Sequence, residues 1–345
     1  MTLVTVKALP THPTSGPTAV TIYDVAERAG VGIATVSRAM RGSAPVAEAT
    51  RARVLAAVEE LGFRPSYAGT SLAERRHAAN GIVFPDLSGP YYAEVLLGYE
   101  ETASRLGRSV LVLATHGRPD PVRAVSDLAR RVDGLVLLGR TVPDEVIVSL
   151  VSSGLPIVVV ARPPVEGADA IGAGSRDSAR ALGHHLAGHG VQRVAFLGSP
   201  DSSPDVAERW SGVHDALAEH GISVRVTPCR MDENAGTQVA AELLAKADPP
   251  DTLACANDEI ALGAIVAAER AGLRVGHDVA ITGWDDVMAA RHARPALTTV
   301  RQPMRSLGAL AAEVLEERIT GTRTTPRHQS LPTALVVRDS CGTHH

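Results

Sequence analysis

The sequence predicts a small all-α domain followed by a larger α/β core that contains two parallel sheets. Short amphipathic helical patterns fill the segment from about residue 21 to 64. From Asn80 onward, apolar runs typical of buried strands alternate with amphipathic helices, which is the rhythm of parallel α/β sheets. The length of 345 residues exceeds one typical domain of roughly 100–200 residues, so two or more units are expected.

The composition is that of an ordinary globular protein with aliphatic cores. Apolar residues make up 45% of the chain, charged residues 21% and aromatic residues only 3%. No apolar run approaches the roughly 18 residues that a membrane-spanning helix needs. The first twenty residues are rich in Thr and Pro and lack the order of a signal peptide, so a disordered leader and a cytoplasmic location are expected.

Charge is unevenly distributed along the chain, although the net charge is only −4. Residues 21–77 carry eight Lys and Arg against six Asp and Glu, a local charge of +2, and the rest carries 26 against 32, a charge of −6. Such a weakly basic segment attracts DNA only weakly. Binding to nucleic acid must therefore depend on the placement of a few arginines.

Three helices are predicted in the N-terminal domain. Thr21 and Asp24 form a capping pair at the start of the first helix, and Gly30 ends it. The second helix covers "IATVSRAM", and the third runs from about residue 47 to 61. The residues of the third helix predicted to face inward are Val54, Leu55, Val58 and Leu61.

The first two helices have the pattern of a helix-turn-helix, "DVAERAGVGIATVSRAM". Such a unit needs two short helices joined by a tight turn, and the N-terminal side chains of its second helix face the major groove. Small or branched apolar residues stand where the two helices pack, namely Ala26, Gly30, Val31 and Val36. The residues left available to DNA are Ile33, Ala34, Ser37 and Arg38, unless the segment is only a small helical hairpin.

This segment resembles the helix-turn-helix of the lactose-repressor (LacI) family, whose motif reads close to T-I-x-D-V-A-x-x-A-G-V-S-x-x-T-V-S-R. The chain has "TIYDVAERAGVGIATVSR", with Gly32 in place of the usual serine. The resemblance implies that Arg38 is the main polar reader of bases, and that Thr35 and Ser37 contact phosphates. The predicted DNA-binding residues of this unit are Thr21, Ile33, Ala34, Thr35, Ser37 and Arg38.

The segment "RPSYAGTSL" resembles the hinge helix of the same family, which folds on DNA and inserts a leucine into the minor groove. Leu72 matches that leucine, and a pair from two subunits would part a base step at the centre of a near-palindrome. Alternatively, Leu72 is a linker leucine packed on the neighbouring domain. Gly69 stands where the family usually has alanine, so forming this helix should cost about 1 kcal/mol more.

Six later segments resemble, in order, landmarks of the family's periplasmic-binding-protein-like core. The resemblance implies two doubly wound parallel-sheet subdomains joined by three crossings, with a small ligand in the cleft at the strand C-terminal ends. The predicted organisation is a leader at 1–20, the helix-turn-helix domain at 21–64 and a hinge and linker at 65–79. Effector subdomain 1 comprises 80–190 and 302–331, and subdomain 2 comprises 191–301 and 332–345.

The same resemblance implies which residues bind the effector. Arg209 and Asp285 correspond to positions that hold ligand hydroxyls or carbonyls, and Asn257 is a third contact. A guanidinium and a carboxylate together suit a sugar or another polyol, because they offer donors on one side and acceptors on the other. Three aromatic residues are candidates for flat apolar walls, with core packing as the alternative: Tyr91, Tyr92 and Trp284.

Two departures from the family concern this pocket. Asp177 matches a further polar position, but "GAGSRD" lacks the Asp-Asn pair that the family often has before it. Met231 and Met304 stand where some sugar-binding members carry an aromatic residue. A standard stacking site for a pyranose ring is therefore not expected.

Other classes of protein fit the sequence less well. "GAGSRD" suggests a nucleotide-binding enzyme, but the third glycine of that fingerprint is missing, and no catalytic motif is found elsewhere. His185 and His189 have the spacing of metal ligands without a third-ligand motif, so we interpret them as ordinary helix-end histidines. The cysteines lack a C-x-x-C spacing and are interpreted as buried or incidental thiols: Cys229, Cys255 and Cys341.

The sequence therefore predicts a transcription regulator of the repressor type that binds a double-stranded DNA operator as a homodimer. A small sugar-like effector controls it, and whether that effector releases DNA or favours binding is left open. No enzymatic activity, cofactor, metal or membrane partner is predicted. A dimer is favoured over a tetramer because no leucine heptad follows "VVRDSCGTHH". The main alternative is a solute-binding protein or sensor without a DNA-directed function.

Overall fold

The computed structural model describes residues 20–41, 45–63 and 77–342, apart from the side chains of Arg41 and Ser202. These residues fall into two compact units that divide between residues 75 and 76. The first unit is all-helical and the second is α/β, so the predicted fold class is confirmed. Among the described residues, every helix is too short or too polar to cross a bilayer.

The first unit consists of three helices, which are α1 (Ile22–Ala29), α2 (Ile33–Arg41) and α3 (Glu48–Leu61). The Asp24 carboxylate accepts hydrogen bonds of 2.7 Å from both the Thr21 N–H and the Thr21 hydroxyl, as the capping pattern predicts. Gly30 ends α1 in the left-handed conformation, with φ of 65°. The buried core residues of this unit are Val25, Ala26, Ala29, Val36, Ala39, Val54 and Ala57.

One inward-facing residue of α3 was predicted wrongly. Leu55 is 46% exposed, and Ala57 is buried instead. The buried face of α3 follows the helical spacing from Val54 through Ala57 to Val58 and Leu61, and Leu55 lies about 100° away from Val54 around the axis. An apolar residue beside the buried face is easily assigned to it from sequence.

The second unit contains two parallel sheets. Six strands form the first sheet in the order β11-β5-β4-β3-β1-β2, all parallel. These strands are β1 (Ala79–Phe84), β2 (Ser109–Ala114), β3 (Gly134–Leu138), β4 (Ile157–Val160), β5 (Asp169–Gly174) and β11 (His328–Pro332). The helices that follow its strands are α4 (Pro90–Arg105), α5 (Pro121–Ala129) and α6 (Asp144–Ser152).

Four parallel strands form the second sheet in the order β7-β6-β8-β9. They are β6 (Val194–Leu197), β7 (Val224–Thr227), β8 (Thr252–Cys255) and β9 (Ala280–Thr282). The remaining helices are α7 (Ser175–Gly188), α8 (Pro204–Glu219), α9 (Glu233–Leu244), α10 (Asp258–Arg270), α11 (Met288–His292) and α12 (Met304–Thr320). Strands β10 (Thr299–Arg301) and β12 (Ala334–Val336) form a separate antiparallel pair.

The chain crosses between the two subdomains three times. The second crossing leads from β10 to α12, and the third leads from β11 to β12. The first leads from β5 to α7, which packs on α8 of subdomain 2. That packing is very close, since a Cβ added to Gly183 would lie 2.7 Å from the Ala216 Cβ.

Candidate functional site

The exposed face of α2 is formed by the residues predicted to read DNA. Ile33 is 39% exposed, and Ala34 and Arg38 are also exposed, whereas Thr35 and Ser37 are half-buried. The Arg38 Nε donates a 3.2 Å hydrogen bond to the Ala34 carbonyl, which holds the guanidinium beside the first turn of the helix. This arrangement can present one fork of donors and a small apolar surface to base edges.

The start of α2 lacks a side-chain cap at Gly32. The Gly32 carbonyl accepts hydrogen bonds from the N–H groups of Thr35 at 2.8 Å and Val36 at 3.1 Å. Apart from the adjoining backbone, no atom of the described residues lies within 4 Å of a Cβ added to Gly32, so a side chain has room there. The predicted hinge leucine, Leu72, lies outside the described residues.

A cavity of about 190 Å³ lies in the cleft between the two subdomains of the second unit. Its lining comes from segments that follow the C-terminal ends of strands in both sheets, which is where doubly wound folds bind ligands. Subdomain 1 contributes Asp86, Ser88, Gly89, Tyr91, Tyr92, Leu138, Gly139 and Ala161. Subdomain 2 contributes Ser203, Asp205, Val206, Arg209, Met231, Asn257, Glu259 and Asp285.

Arg209 and Asp285, two of the residues predicted to bind the effector, both line this cavity, and each is 5% exposed. The Arg209 Nη1 donates to the Ala256 carbonyl at 2.6 Å, and its Nη2 lies 4.0 Å from the Asp285 Oδ1. The Arg209 Nε is buried without a hydrogen-bond partner among the described residues. A buried guanidinium whose donors are not all used is suited to binding a polar ligand.

The loop that carries Asp285 is held firmly on both sides. The Gln302 Nε2 donates to the Asp285 Oδ1 at 2.6 Å, and Asp285 has a φ of 121°, a left-handed conformation that residues with side chains rarely adopt. The neighbouring Asp286 is buried in ion pairs with Arg301 at 2.7 Å and Arg338 at 2.5 Å. These contacts fix the Asp285 carboxylate before any ligand binds.

The predicted aromatic walls lie in two different places. Tyr91 and Tyr92 line the cavity, with ring centroids 5.4 Å apart in an edge-to-face arrangement. Trp284 is 1% exposed and does not line the cavity. Its ring lies 5.0 Å from the Arg209 Cζ, so it supports the guanidinium by a cation–π contact from within the core.

Two further predicted residues differ in their surroundings. Asn257 lines the cavity, and its side-chain oxygen also accepts the Ile260 N–H at 3.0 Å, which caps α10. Asp177 is exposed in the first turn of α7 and does not line the cavity. Met231 is part of the lining, whereas Met304 is buried in α12.

Three carboxylates of the cavity were not predicted from sequence, namely Asp86, Asp205 and Glu259. Burial, together with the nearby carboxylates of Asp285 and Asp86, raises the pKa of Glu259 to about 7. Burial also raises the pKa of Asp205, and it raises that of Asp285 to about 6 against the opposing effect of Arg209. The described lining thus combines four carboxyl groups with a single arginine.

A sequence signal for these carboxylates exists in hindsight. Asp86 comes two residues after β1, Glu259 four residues after β8, and Asp205 lies one helical turn before Arg209 on α8. A polar residue just after a buried parallel strand lies at the edge of the sheet where ligands bind. The rule finds candidates, although the sequence alone does not tell which of them face the cleft.

A helix-turn-helix unit with an exposed second helix, followed by a two-sheet core with a polar cleft, defines the class of ligand-responsive DNA-binding regulators. Comparison with protein families agrees with this class. Residues 21–66 match the model described as bacterial regulatory proteins, lacI family, and residues 184–341 match the periplasmic binding protein-like domain. The chain belongs to the LacI family of DNA-binding transcriptional regulators.

Individual relatives cover most of the chain. The HTH-type transcriptional regulator GalR of Escherichia coli (strain K12) is 34% identical over 85% of this chain and 88% of its own length. The lac repressor dimer bound to operator and the anti-inducer ONPF has a TM-score of 0.84 at 30% identity, covering 94% of this chain and 100% of that one. The complex of the transcriptional regulator CelR with cellobiose has a TM-score of 0.70 at 31% identity, covering 93% and 99%.

Proposed function

We propose that this protein represses transcription by binding a near-palindromic operator as a dimer, and that a small, donor-rich effector in the cleft controls its affinity for DNA. The relatives support the first part, since GalR is a transcriptional regulator and the lac repressor binds its operator as a dimer. A chromosomal operator as target also supports a cytoplasmic location. The two-fold symmetry of a dimer accounts for a palindromic target.

On α2, Arg38 is the proposed polar reader of bases, and Ile33 and Ala34 are the proposed apolar contacts to thymine methyl groups. Their exposure on one face of the helix supports this assignment. Thr21, Thr35 and Ser37 are the proposed phosphate contacts, which position the helix without specifying sequence. Leu72 remains the predicted minor-groove wedge.

The observation that carries the effector proposal is the pairing of Arg209 with carboxyl groups in a small buried cavity. Four carboxyl groups offer acceptors to hydroxyl or amine donors, and their charge disfavours phosphates and other anions. The cavity of about 190 Å³ is below the range of about 300–1,000 Å³ usual for ligand pockets, which favours a monosaccharide over a disaccharide. A neutral sugar, a polyol or an amino sugar is the proposed effector class.

Thermal-shift measurements on the full chain test this class. Matched sets would contain a neutral monosaccharide, its amino derivative, its phosphate ester and the corresponding disaccharide. We expect a rise in melting temperature with the first two and none with the phosphate, because bound ligand stabilises the folded state. Stabilisation by the phosphate esters alone would contradict the proposal.

The control over DNA needs a separate measurement. An operator would be obtained by selection from random duplexes, and its affinity for the protein would be measured with and without the stabilising compound. The effector and the operator must change each other's affinity by the same factor, because the two binding equilibria are linked. An operator affinity that does not change with the effector would contradict the regulatory role and leave the cleft assignment intact.

A further inference from the structure

A second cluster of ligating side chains lies in subdomain 2, among residues that take no part in the cleft cavity. His185 is in the last turn of α7 and His189 follows the end of that helix, while Cys341 ends a short 3-10 helix at Asp339–Cys341. One ring nitrogen from each histidine and the Cys341 Sγ all lie within 4.8 Å of one another. The fold thus supplies the third ligand that the sequence spacing of the two histidines lacks.

The distances are close to those of a metal site. The His185 Nε2 lies 3.2 Å from the Cys341 Sγ, and the two imidazole centroids are 4.7 Å apart. In a tetrahedral zinc site, bonds of about 2.0–2.1 Å to nitrogen and 2.3 Å to sulfur place neighbouring donor atoms about 3.4–3.6 Å apart. Side-chain adjustments of about 1 Å therefore bring all three donors to one ion.

The surroundings allow such an ion to be held. Cys341 is 3% exposed, and its Sγ lies 3.0 Å from the Thr298 hydroxyl, a contact that helps to hold the sulfur in place. Glycine at position 342 lets the backbone pass close to the second histidine, since a Cβ there would lie only 3.2 Å from the His189 Nδ1. Two imidazoles and a thiolate are soft or borderline donors, which favour zinc-like ions over magnesium or calcium.

We propose that His185, His189 and Cys341 form a binding site for a borderline-soft divalent metal ion of the Zn²⁺ class. Three protein ligands are enough for such an ion, since three-ligand zinc sites take water or another exogenous ligand as the fourth. The ion ties the segment after the third crossing to α7, the helix after the first crossing. Its expected effect is to stabilise subdomain 2 and to protect the Cys341 thiolate.

Binding is expected to release protons. The ion binds the thiolate and unprotonated imidazoles, and its affinity therefore rises with pH. If the cluster were only a hydrogen-bonded His–Cys contact, adding the ion would release no protons.

The test uses the full chain freed of metal by a chelator and titrated with Co²⁺, then with Zn²⁺. We expect one equivalent of Co²⁺ to give tetrahedral absorption together with a thiolate-to-cobalt charge-transfer band. Zn²⁺ should displace it and raise the melting temperature. Absence of the charge-transfer band in the unmodified chain overturns the proposal.

Variants identify the ligands. Cys341→Ser should remove the charge-transfer band. His189 is partly exposed, so the His189→Ala variant should keep the fold, and its Zn²⁺ binding should be at least about tenfold weaker. His184→Ala and Cys229→Ser are the matched controls. His184 lies next to the site but contacts His220 at 3.2 Å, and Cys229 is another buried thiol. Both should bind Zn²⁺ normally.

Two histidines outside the described residues need their own control. The double variant His344→Ala/His345→Ala should keep the one-to-one binding and the charge-transfer band. Loss of binding in that variant, or a band that persists in Cys341→Ser, overturns the assignment. Unchanged Zn²⁺ affinity in a folded His189→Ala variant does so too.

Discussion

Helix α2, which we propose reads DNA, and the cleft, which we propose binds the effector, hold their side chains in opposite surroundings. Ile33, Ala34 and Arg38 are exposed on α2, in a three-helix unit with a small aliphatic core. Arg209 and Asp285 are each 5% exposed and are held by hydrogen bonds to buried groups around the cleft. The polar groups on α2 are solvated in the free protein, whereas those in the cleft are already desolvated.

This difference predicts how each site responds to change. An exposed side chain loses only its contact with the ligand when it is removed, because water satisfies whatever remains. A buried charge that loses its partner carries a desolvation cost in the free protein as well. Substitutions in the cleft should therefore have larger effects than those on α2, and some should also alter stability.

Arg209→Ala should have the largest effect. It removes the single arginine of the described cavity lining and leaves Asp285 with Gln302 as its main partner. We expect effector affinity, measured by calorimetry, to fall at least about 100-fold, or about 2.7 kcal/mol. Arg230→Ala is the matched control, because that arginine is 82% exposed and outside the lining. Normal effector binding by the Arg209 variant would contradict the proposal that Arg209 binds the effector.

The same contrast explains what sequence reasoning finds. The DNA-facing residues lie within one short motif, so a single helix pattern places Arg38 and Ile33 on the same face. The cleft is assembled from loops after strands in two sheets, and neither periodicity nor spacing tells which of those loops meet. Arg209 and Asp285 were predicted because they match a family pattern, whereas Asp205 was missed.

Packing direction was equally hidden from the sequence. Apolar runs typical of strands can be recognised in the sequence, but periodicity does not tell which subdomain a following helix packs against, and α7 packs on α8 of subdomain 2. Cys341, the third residue of the cluster with His185 and His189, is 156 residues from His185 along the chain. Only the fold brings such distant residues together.

Arg38→Ala tests the proposed base-reading residue on the exposed face of α2. We expect it to relax base preference at one position per half-site by about 1–3 kcal/mol without changing the unfolding of the three-helix unit. Selection from random duplexes measures the first effect, and amide exchange of α2 in the full chain measures the second. Arg28→Ala is the control for base selectivity, since Arg28 lies on α1 rather than α2 and pairs with Glu60 at 2.6 Å. Unchanged base selectivity in the Arg38 variant would contradict its assignment.

The cleft carboxyl groups should make stability depend on pH. Glu259 has a folded-state pKa of about 7 against an ordinary value of 4.5, because burial disfavours its charged form. The folded state therefore binds the proton more tightly, and the stability from this group is lost as pH rises from about 4.5 to about 7.

Glu259→Gln should make that loss smaller by about 1–2 kcal/mol, after allowance for solvent screening of a half-buried group. The free energy of unfolding would be measured with urea on the full chain at a series of pH values between about 5 and 8, where the carboxyl group titrates in the folded state. Glu269→Gln, at an exposed position on the same helix, is the matched control. Equal pH dependence in the unmodified chain and the Glu259 variant would show that the cleft carboxyl is already solvated.

Gly32→Ser should have the smallest effect and should strengthen the DNA-facing helix. The serine hydroxyl can accept the Thr35 N–H at the start of α2, and the space beside Gly32 is open. We expect a gain of a few tenths of a kcal/mol, measured by slower amide exchange at the start of α2. Gly32→Ala adds the same Cβ without the hydroxyl and should lower stability, because alanine is a poor N-cap. Equal gains in both variants would mean that lower flexibility of the unfolded chain, rather than capping, limits α2.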